Sequence, residues 1–261
     1  MDFQIQQRVA LVCGGGSGLG QAIALSLAQE GVKVAVTGRN PEKLAQTVEL
    51  ISRQGGTAHA WPLDLAAPDT FDETLEAIRQ RWGDIDILVN NSGGPPPAQA
   101  QGTDIALWQQ QFTAMVASLI QLTDKLLPAM RRRGWGRIIT STSSGVIAPI
   151  PNLVLSNALR MSLLGWSKTL ASEVAADGVT VNVMVPGRIA TARVGQLDAM
   201  KAQRENSSPE AVAEKSRQSI PAGRYGEPQE YGATAAFLAS QPASYITGAV
   251  IRVDGGLISS L

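Results

Sequence analysis

The chain has 261 residues and is 44% hydrophobic, enough to bury the core of one large α/β domain or two small ones. Its 22 basic and 22 acidic side chains cancel, so it has no basic footprint for nucleic acid. The single cysteine, Cys13, excludes an internal disulfide, and the single histidine, His59, leaves no basis for a Ser-His-Asp triad or a histidine metal cluster. The first residues have no basic-then-apolar signal pattern, and no apolar run approaches membrane-spanning length. The expected location is the cytoplasm, with no membrane and no metal.

In chain order, a strand is predicted at about 8–13. It empties into Gly14-Gly-Gly16-Ser17-Gly18-Leu19-Gly20, five glycines within seven residues. A helical pattern at 18–30 follows and is closed by Gly31. Strand, glycine loop and helix together hold a nucleotide pyrophosphate: the glycines admit the phosphates to the backbone, and the helix N-terminus offers free N–H groups. The Gly14-x-x-x-Gly18-x-Gly20 spacing differs from the commoner GxGxxG.

Lys33–Thr37 reads as a second strand, and Pro41 opens a helix to about Arg53. A third strand covers Thr57–Leu63, a helix 68–81, and a fourth strand Asp86–Asn90. A long helix is expected at 104–132, then a strand at Gly136–Ser141, a helix at 152–176 and a strand at Val179–Val185. A polar helical stretch at 193–218 would cover the substrate; a last helix at 228–239 and a strand at Ala249–Val253 complete the chain. Such alternation predicts a doubly wound α/β domain, a seven-stranded parallel sheet with helices on both faces and no interrupting linker. Arg131-Arg132-Arg133 ends the long helix, where cations complement the helix dipole. Gly93-Gly-Pro-Pro-Pro97 follows the fourth strand at a carboxyl end, as a stiff wall of a site.

Further segments belong with the glycine loop: Asp64 after the third strand, Asn90-Asn91-Ser92-Gly93 after the fourth, and Pro186-Gly187-Arg-Ile189-Ala-Thr191 after the sixth. Arg224-Tyr-Gly-Glu-Pro228, Tyr245-Ile-Thr-Gly248 and Asp254-Gly-Gly256 complete the set. In this order they closely resemble the short-chain dehydrogenase/reductase family, especially its 3-oxoacyl-carrier-protein reductase branch, over essentially the whole chain. The resemblance implies that Gly14, Gly16, Ser17, Gly18 and Leu19 wrap the cofactor phosphates. It implies that Asp64 and Leu65 meet the adenine, that Asn91, Ser92 and Gly93 line the adenosine ribose, and that Pro186, Gly187, Ile189 and Thr191 hold the nicotinamide carboxamide. A homotetramer acting on a small-molecule substrate is expected.

The second strand ends Thr37-Gly38-Arg39-Asn40. Gly38 stands where relatives using NAD carry Asp, and Arg39 offers a planar, always-charged fork suited to a 2′-phosphate, with Asn40 beside it. NADP is therefore expected over NAD.

The resemblance breaks at the catalytic set, which in the family is Asn, Ser, Tyr and Lys. Gly165-Trp-Ser-Lys-Thr-Leu170 fixes the register, so Ser156 stands at the tyrosine position and Arg160 at the lysine position, on one helical face. Met115 replaces the Asn. Ser143, thirteen residues before Ser156, keeps the serine position, with Thr142 and Ser144 as rivals. A serine is a far poorer acid than a phenol, and arginine does not release its proton near neutral pH, although it can still donate to ribose hydroxyls. Three functions follow: an NADP-dependent oxidoreductase with an altered proton route through Ser143, Ser156 and Arg160; a catalytically silent NADP-binding subunit or sensor; and, more remotely, a non-redox lyase resembling halohydrin dehalogenases. His59 reads as structural.

Overall fold

The computed structural model describes residues 2–260. The strands are β1 (Val9–Val12), β2 (Lys33–Gly38), β3 (Thr57–Pro62), β4 (Ile87–Asn90), β5 (Gly136–Ser141), β6 (Val179–Pro186) and β7 (Val250–Val253). The helices are α1 (Gly18–Gln29), α2 (Pro41–Arg53), α3 (Phe71–Trp82), α4 (Ile105–Phe112), α5 (Ser118–Arg133), α6 (Val154–Val174), α7 (Ala192–Arg204), α8 (Pro209–Gln218) and α9 (Pro228–Ala239). All seven strands are parallel in one sheet, in the order β3-β2-β1-β4-β5-β6-β7. The chain winds outward from β1 to β3, then returns to the far side of β1 and winds the other way. A crevice therefore opens at the carboxyl ends of β1 and β4, where the direction reverses.

Every residue of β1, β4, β5 and β6 is buried, because helices cover both faces. On one face α1, α2 and α9 contribute Ile23, Leu27, Leu44, Ile51 and Tyr231 to a core with Val34, Ile139 and Met184. On the other, α3, α5 and α6 contribute Phe71, Ile78, Leu122 and Leu170 to a core with Leu11, Ile138 and Val181. Cys13 joins this second core at 1% exposure, as its place in an apolar run predicts.

Local chemistry starts and stops the helices as expected in several places. Asn40 caps α2 by accepting from the Lys43 amide at 2.9 Å, with Pro41 at the first helical position. Gly134, at φ +62°, ends α5 after the three arginines; Arg131 pairs with Asp177 at 2.6 Å and Arg133 with Asp84 at 2.7 Å. His59 lies on the edge strand β3, edge-on to Trp61 with ring centres 4.4 Å apart. Burial, with Arg81 nearby, lowers its pKa, so it stays neutral at pH 7.

Two elements differ from the sequence reading. The long helix expected at 104–132 is divided: α4 and α5 are joined by a π turn over Thr113–Ala117. Met115 lies within that turn, a deviation from α-helical bonding that is frequent at functional sites. The polar stretch 193–218 is two helices, since Ser208 caps α8 and Pro209 occupies its first position. No helix among the described residues is long and apolar enough to cross a membrane.

Candidate active site

The crevice is a cleft of about 1660 Å³, larger than the usual small-ligand pocket and sufficient for a dinucleotide with a second molecule beside it. All the residues that the sequence assigns to cofactor and catalysis line it: Gly14, Gly16, Ser17, Gly18, Leu19, Arg39, Asn40, Asp64, Leu65, Asn91, Ser92, Gly93, Ser143, Ser156, Arg160, Pro186, Gly187, Ile189 and Thr191.

Its floor is the loop after β1. Gly14 and Gly18 hold φ of +62° and +56°, which favours glycine. Gly20 has a different reason: a Cβ there would lie 2.2 Å from the Gly14 carbonyl oxygen, so only glycine lets α1 close onto the loop. Ser17 precedes α1 without capping it through its side chain, which leaves the first N–H groups of the helix directed at the cleft. Bare backbone and an uncapped helix N-terminus fit a pyrophosphate. Asn91 Nδ2 donates to the Cys13 carbonyl at 3.1 Å and so ties the end of β4 to the end of β1. Beside it the Ser92 hydroxyl is buried without a hydrogen-bond partner among the described residues.

The far wall is assembled from the ends of β5, β6 and β7. Gly187 N–H donates to the Val253 carbonyl at 2.9 Å. The Asp254 carboxylate accepts the Gly256 and Ile258 amides, each at 3.0 Å, which accounts for the Asp-Gly-Gly motif. Gly226 pins the other side of this loop by donating to the Arg188 carbonyl and accepting from the Ala190 amide. Arg224 grips Glu230 through two bonds of 2.8 and 2.7 Å, and those donors hold the Glu230 carboxyl down at about 2.

The catalytic positions sit between these walls. Ser143 is extended (φ −157°) and its Oγ accepts the Gly145 amide at 3.2 Å, so its own hydrogen is free to point elsewhere. Ser156, in the first turn of α6, is 7% exposed, and its hydroxyl has no partner among the described residues. Arg160, one turn on, is 5% exposed. Its Nη2 donates to the carbonyls of Ser92 (3.1 Å) and Gly93 (3.0 Å), and its Nη1 to that of Ser141 (3.3 Å). Three of its five N–H groups are thus spent on backbone, leaving two for anything in the cleft. Burial pulls its pKa down to about 10, and the guanidinium remains charged at neutral pH. Met115, 2% exposed in the π turn, presents no hydrogen-bonding group of use to a water.

No tyrosine lines the cleft among the described residues. Tyr231 is buried behind the sheet with its hydroxyl 2.9 Å from Ser141 Oγ, Tyr225 donates to Asp198 at 2.8 Å, and Tyr245 is fully exposed. Two residues that the sequence did not single out shape the substrate end. Asn157 bonds both the N–H and the C=O of Ile150, at 3.3 and 2.9 Å, and fixes the Pro149–Pro151 loop against α6. Arg193 donates to the Pro95 carbonyl at 3.1 Å from the start of α7. An Asn at α6 and an Arg beside a helix N-cap carry no sequence periodicity that would have marked them.

A family model described as enoyl-(acyl carrier protein) reductase matches residues 14–258. The chain is 35% identical over 257 residues to the 3-oxoacyl-[acyl-carrier-protein] reductase of Escherichia coli, covering 98% of this chain and 99% of that protein. It is 32% identical to the Aquifex aeolicus enzyme of the same name, at 98% and 100% coverage. Among solved structures, the L-sorbose reductase of Gluconobacter frateurii, complexed with NADPH and L-sorbose, superposes with a TM-score of 0.94 at 30% identity and full coverage of both chains. The chain therefore belongs to the short-chain dehydrogenase/reductase family of NAD(P)-dependent oxidoreductases. Within that family it is similar to the 3-oxoacyl-carrier-protein reductase branch.

Cys13 closes β1 directly under the loop, and burial pushes its thiol from 9.0 up to about 12. The unfolded thiol ionises near 9 and the folded one does not, so stability present below pH 9 is lost as the pH rises. At pH 8 the native protein is expected to resist iodoacetamide, and the denatured protein to react fully. Between pH 9 and 11 the unfolding free energy of wild type should fall faster than that of Cys13→Ala, by up to about 1.4 kcal/mol per pH unit; equal slopes in urea titrations would refute this.

Proposed function

We propose that this chain transfers hydride between NADP(H) and a carbonyl/alcohol pair, with a proton route that does not use a phenol. The observation that carries the proposal is the coincidence, in one cleft, of the glycine-loop cradle with Ser143, Ser156 and Arg160. NADP is the cofactor: solved neighbours, including the polyketide ketoreductase of actinorhodin synthesis and L-sorbose reductase, hold NADPH. Here Gly38 and exposed Arg39 stand at the end of β2, at the cleft rim. The nicotinamide, when bound, supplies or accepts the hydride.

This chain's residues do the rest. Pro186, Gly187, Ile189 and Thr191 hold the carboxamide end, and Asp64, Leu65, Asn91, Ser92 and Gly93 the adenosine end. The free hydrogens of Ser143 and Ser156 hold the substrate oxygen. Arg160 adds a fixed positive charge that favours a developing alkoxide, an effect strongest in a dry, preorganised site. Water delivers the proton, since arginine does not. Loss of a positioned general acid typically costs ~10²–10⁴ in rate, so slow turnover is the expected signature. A second reading, a silent NADP-binding subunit or sensor, is favoured by the same missing phenol and by the commitment of Arg160 to backbone carbonyls.

A homotetramer belongs to this proposal. β7 is an open sheet edge whose first residue, Val250, is 43% exposed, and Ile105, Phe112 and Met161 are exposed on α4 and α6. Light scattering at micromolar concentration should give four times the 27.5 kDa chain mass, and a monomer would refute it.

Arg39→Ala should weaken NADPH far more than NADH, by about 1.5–3 kcal/mol, the size of a bond to a charged group. Equal wild-type affinities for the two nucleotides in fluorescence titrations would end the NADP assignment.

Wild-type reduction of ordinary ketones should stay well below about 10 s⁻¹, and Ser156→Tyr with Arg160→Lys should raise it. Wild-type rates at or above that value would show the phenol to be fully replaced. NADPH binding without turnover, across ketones, aldehydes and acyl thioesters, would instead establish the silent subunit.

A further inference from the structure

The cleft has one sign of charge at its substrate end. Near the adenosine end one carboxylate, Asp64, lines the cleft with two cations, Arg39 and Lys43. Beyond the glycine loop the ionisable side chains lining the cleft are Arg160, Arg188, Arg193, Lys201, Arg204 and Lys215, with no carboxylate among them. In a chain of zero net charge this segregation is not a matter of composition.

Several of these cations have ordinary explanations. Arg188 pairs with Asp198 at 2.6 Å, and Lys201 lies 4.0 Å from Glu205. Lys201 and Arg204 occupy the last turn of α7, and Lys215 that of α8, where cations complement the helix dipole. Arg193 has no such explanation. It sits in the first turn of α7, at the positive end of the dipole, where acidic residues are the favourable choice and this helix has none. Its guanidinium is held over the loop after β4: a Cβ on Gly94 would lie 3.0 Å from Nη2, which donates to the Pro95 carbonyl. Arg160 grips the same loop from the other side through Ser92 and Gly93. Carbonyl oxygens orient these two cations without neutralising them, and no carboxylate pairs with either among the described residues. Arg160 is itself 5% exposed, so a buried cation without a carboxylate faces the same cleft that Arg193 and Ser156 line. Met115, Leu197, Met200 and Ile258 make the intervening walls apolar, which strengthens a charge contact.

We propose that the substrate carries an anionic group, a carboxylate or a phosphate, held by Arg193 at the N-terminus of α7, with Lys201, Arg204 and Lys215 supplying the surrounding field. This rests on the oxidoreductase reading and adds the substrate class.

The test is calorimetric binding to the wild-type protein, with and without saturating NADP, so that it does not depend on turnover. The probes are two matched pairs: acetoacetate with methyl acetoacetate, and dihydroxyacetone phosphate with dihydroxyacetone. One anion or both should bind at least about tenfold more tightly than the neutral partner, as a charge-assisted bond requires, and the winning pair identifies carboxylate or phosphate. That advantage should shrink severalfold from about 50 to 500 mM salt, and Arg193→Gln should bring the ratio toward one. The proposal fails if neither anion binds more tightly than its partner, or if the ratio survives Arg193→Gln. It also fails if Arg193→Gln weakens NADPH as much as the anion, because the cations then serve the cofactor. A separate NADPH titration of wild type reads the parent proposal: its failure there leaves the nucleotide-free anion comparison intact.

Discussion

The substrate end of this protein depends on one buried cation. Arg160 reaches from the first turns of α6 to three carbonyl oxygens, two on the loop after β4 and one at the end of β5. The ladder between these neighbouring strands ends at Asn90 and Thr140, so the loops beyond it need another tie. A guanidinium suits the task because its planar fork donates in several fixed directions at once. Burying it without a carboxylate is costly, which is why its pKa falls to about 10. That cost is tolerable where the cation faces a cleft able to receive an anion or a developing negative charge.

The two ends of the cleft are made from different materials. At the nucleotide end the cleft is faced mainly by backbone, from the loop after β1, the uncapped start of α1 and the loops after β4 and β6, with Arg39 as a charged side chain at the rim. At the substrate end they are side chains carried by α6 and α7 and by the loops that Asn157 and Gly226 pin in place. The first arrangement suits what every dinucleotide shares, a pyrophosphate.

The same division explains what the sequence revealed. The glycine loop, the alternation of strands and helices, and the helix starts at Pro41 and Pro228 are local, so residue type and spacing expose them. The placement of Ser156 and Arg160 on one face was equally legible, since a four-residue interval on a helix fixes it. What Arg160 does there was not: its partners lie 68, 67 and 19 residues away and are carbonyls, which every residue has. The π turn at Thr113–Ala117 was hidden for a related reason, because backbone bonding register leaves no mark in residue types. Ser208-Pro209 did announce the break between α7 and α8, as a cap followed by proline, but the continuous polarity of the segment concealed it.

The bare loop after β1 has a consequence for how this protein can vary. Phosphate-binding groups that belong to the main chain survive any side-chain replacement, so substitutions there do damage only by adding atoms, as at Gly20, where a methyl would strike the Gly14 carbonyl. The residues at the other end can be exchanged by single changes that remove or reverse a charge. Drift and selection therefore have unequal access to the parts of one cleft: a cradle for a pyrophosphate is inherited almost as a property of the fold, while the side chains around it, Arg39 at the rim included, are open to revision.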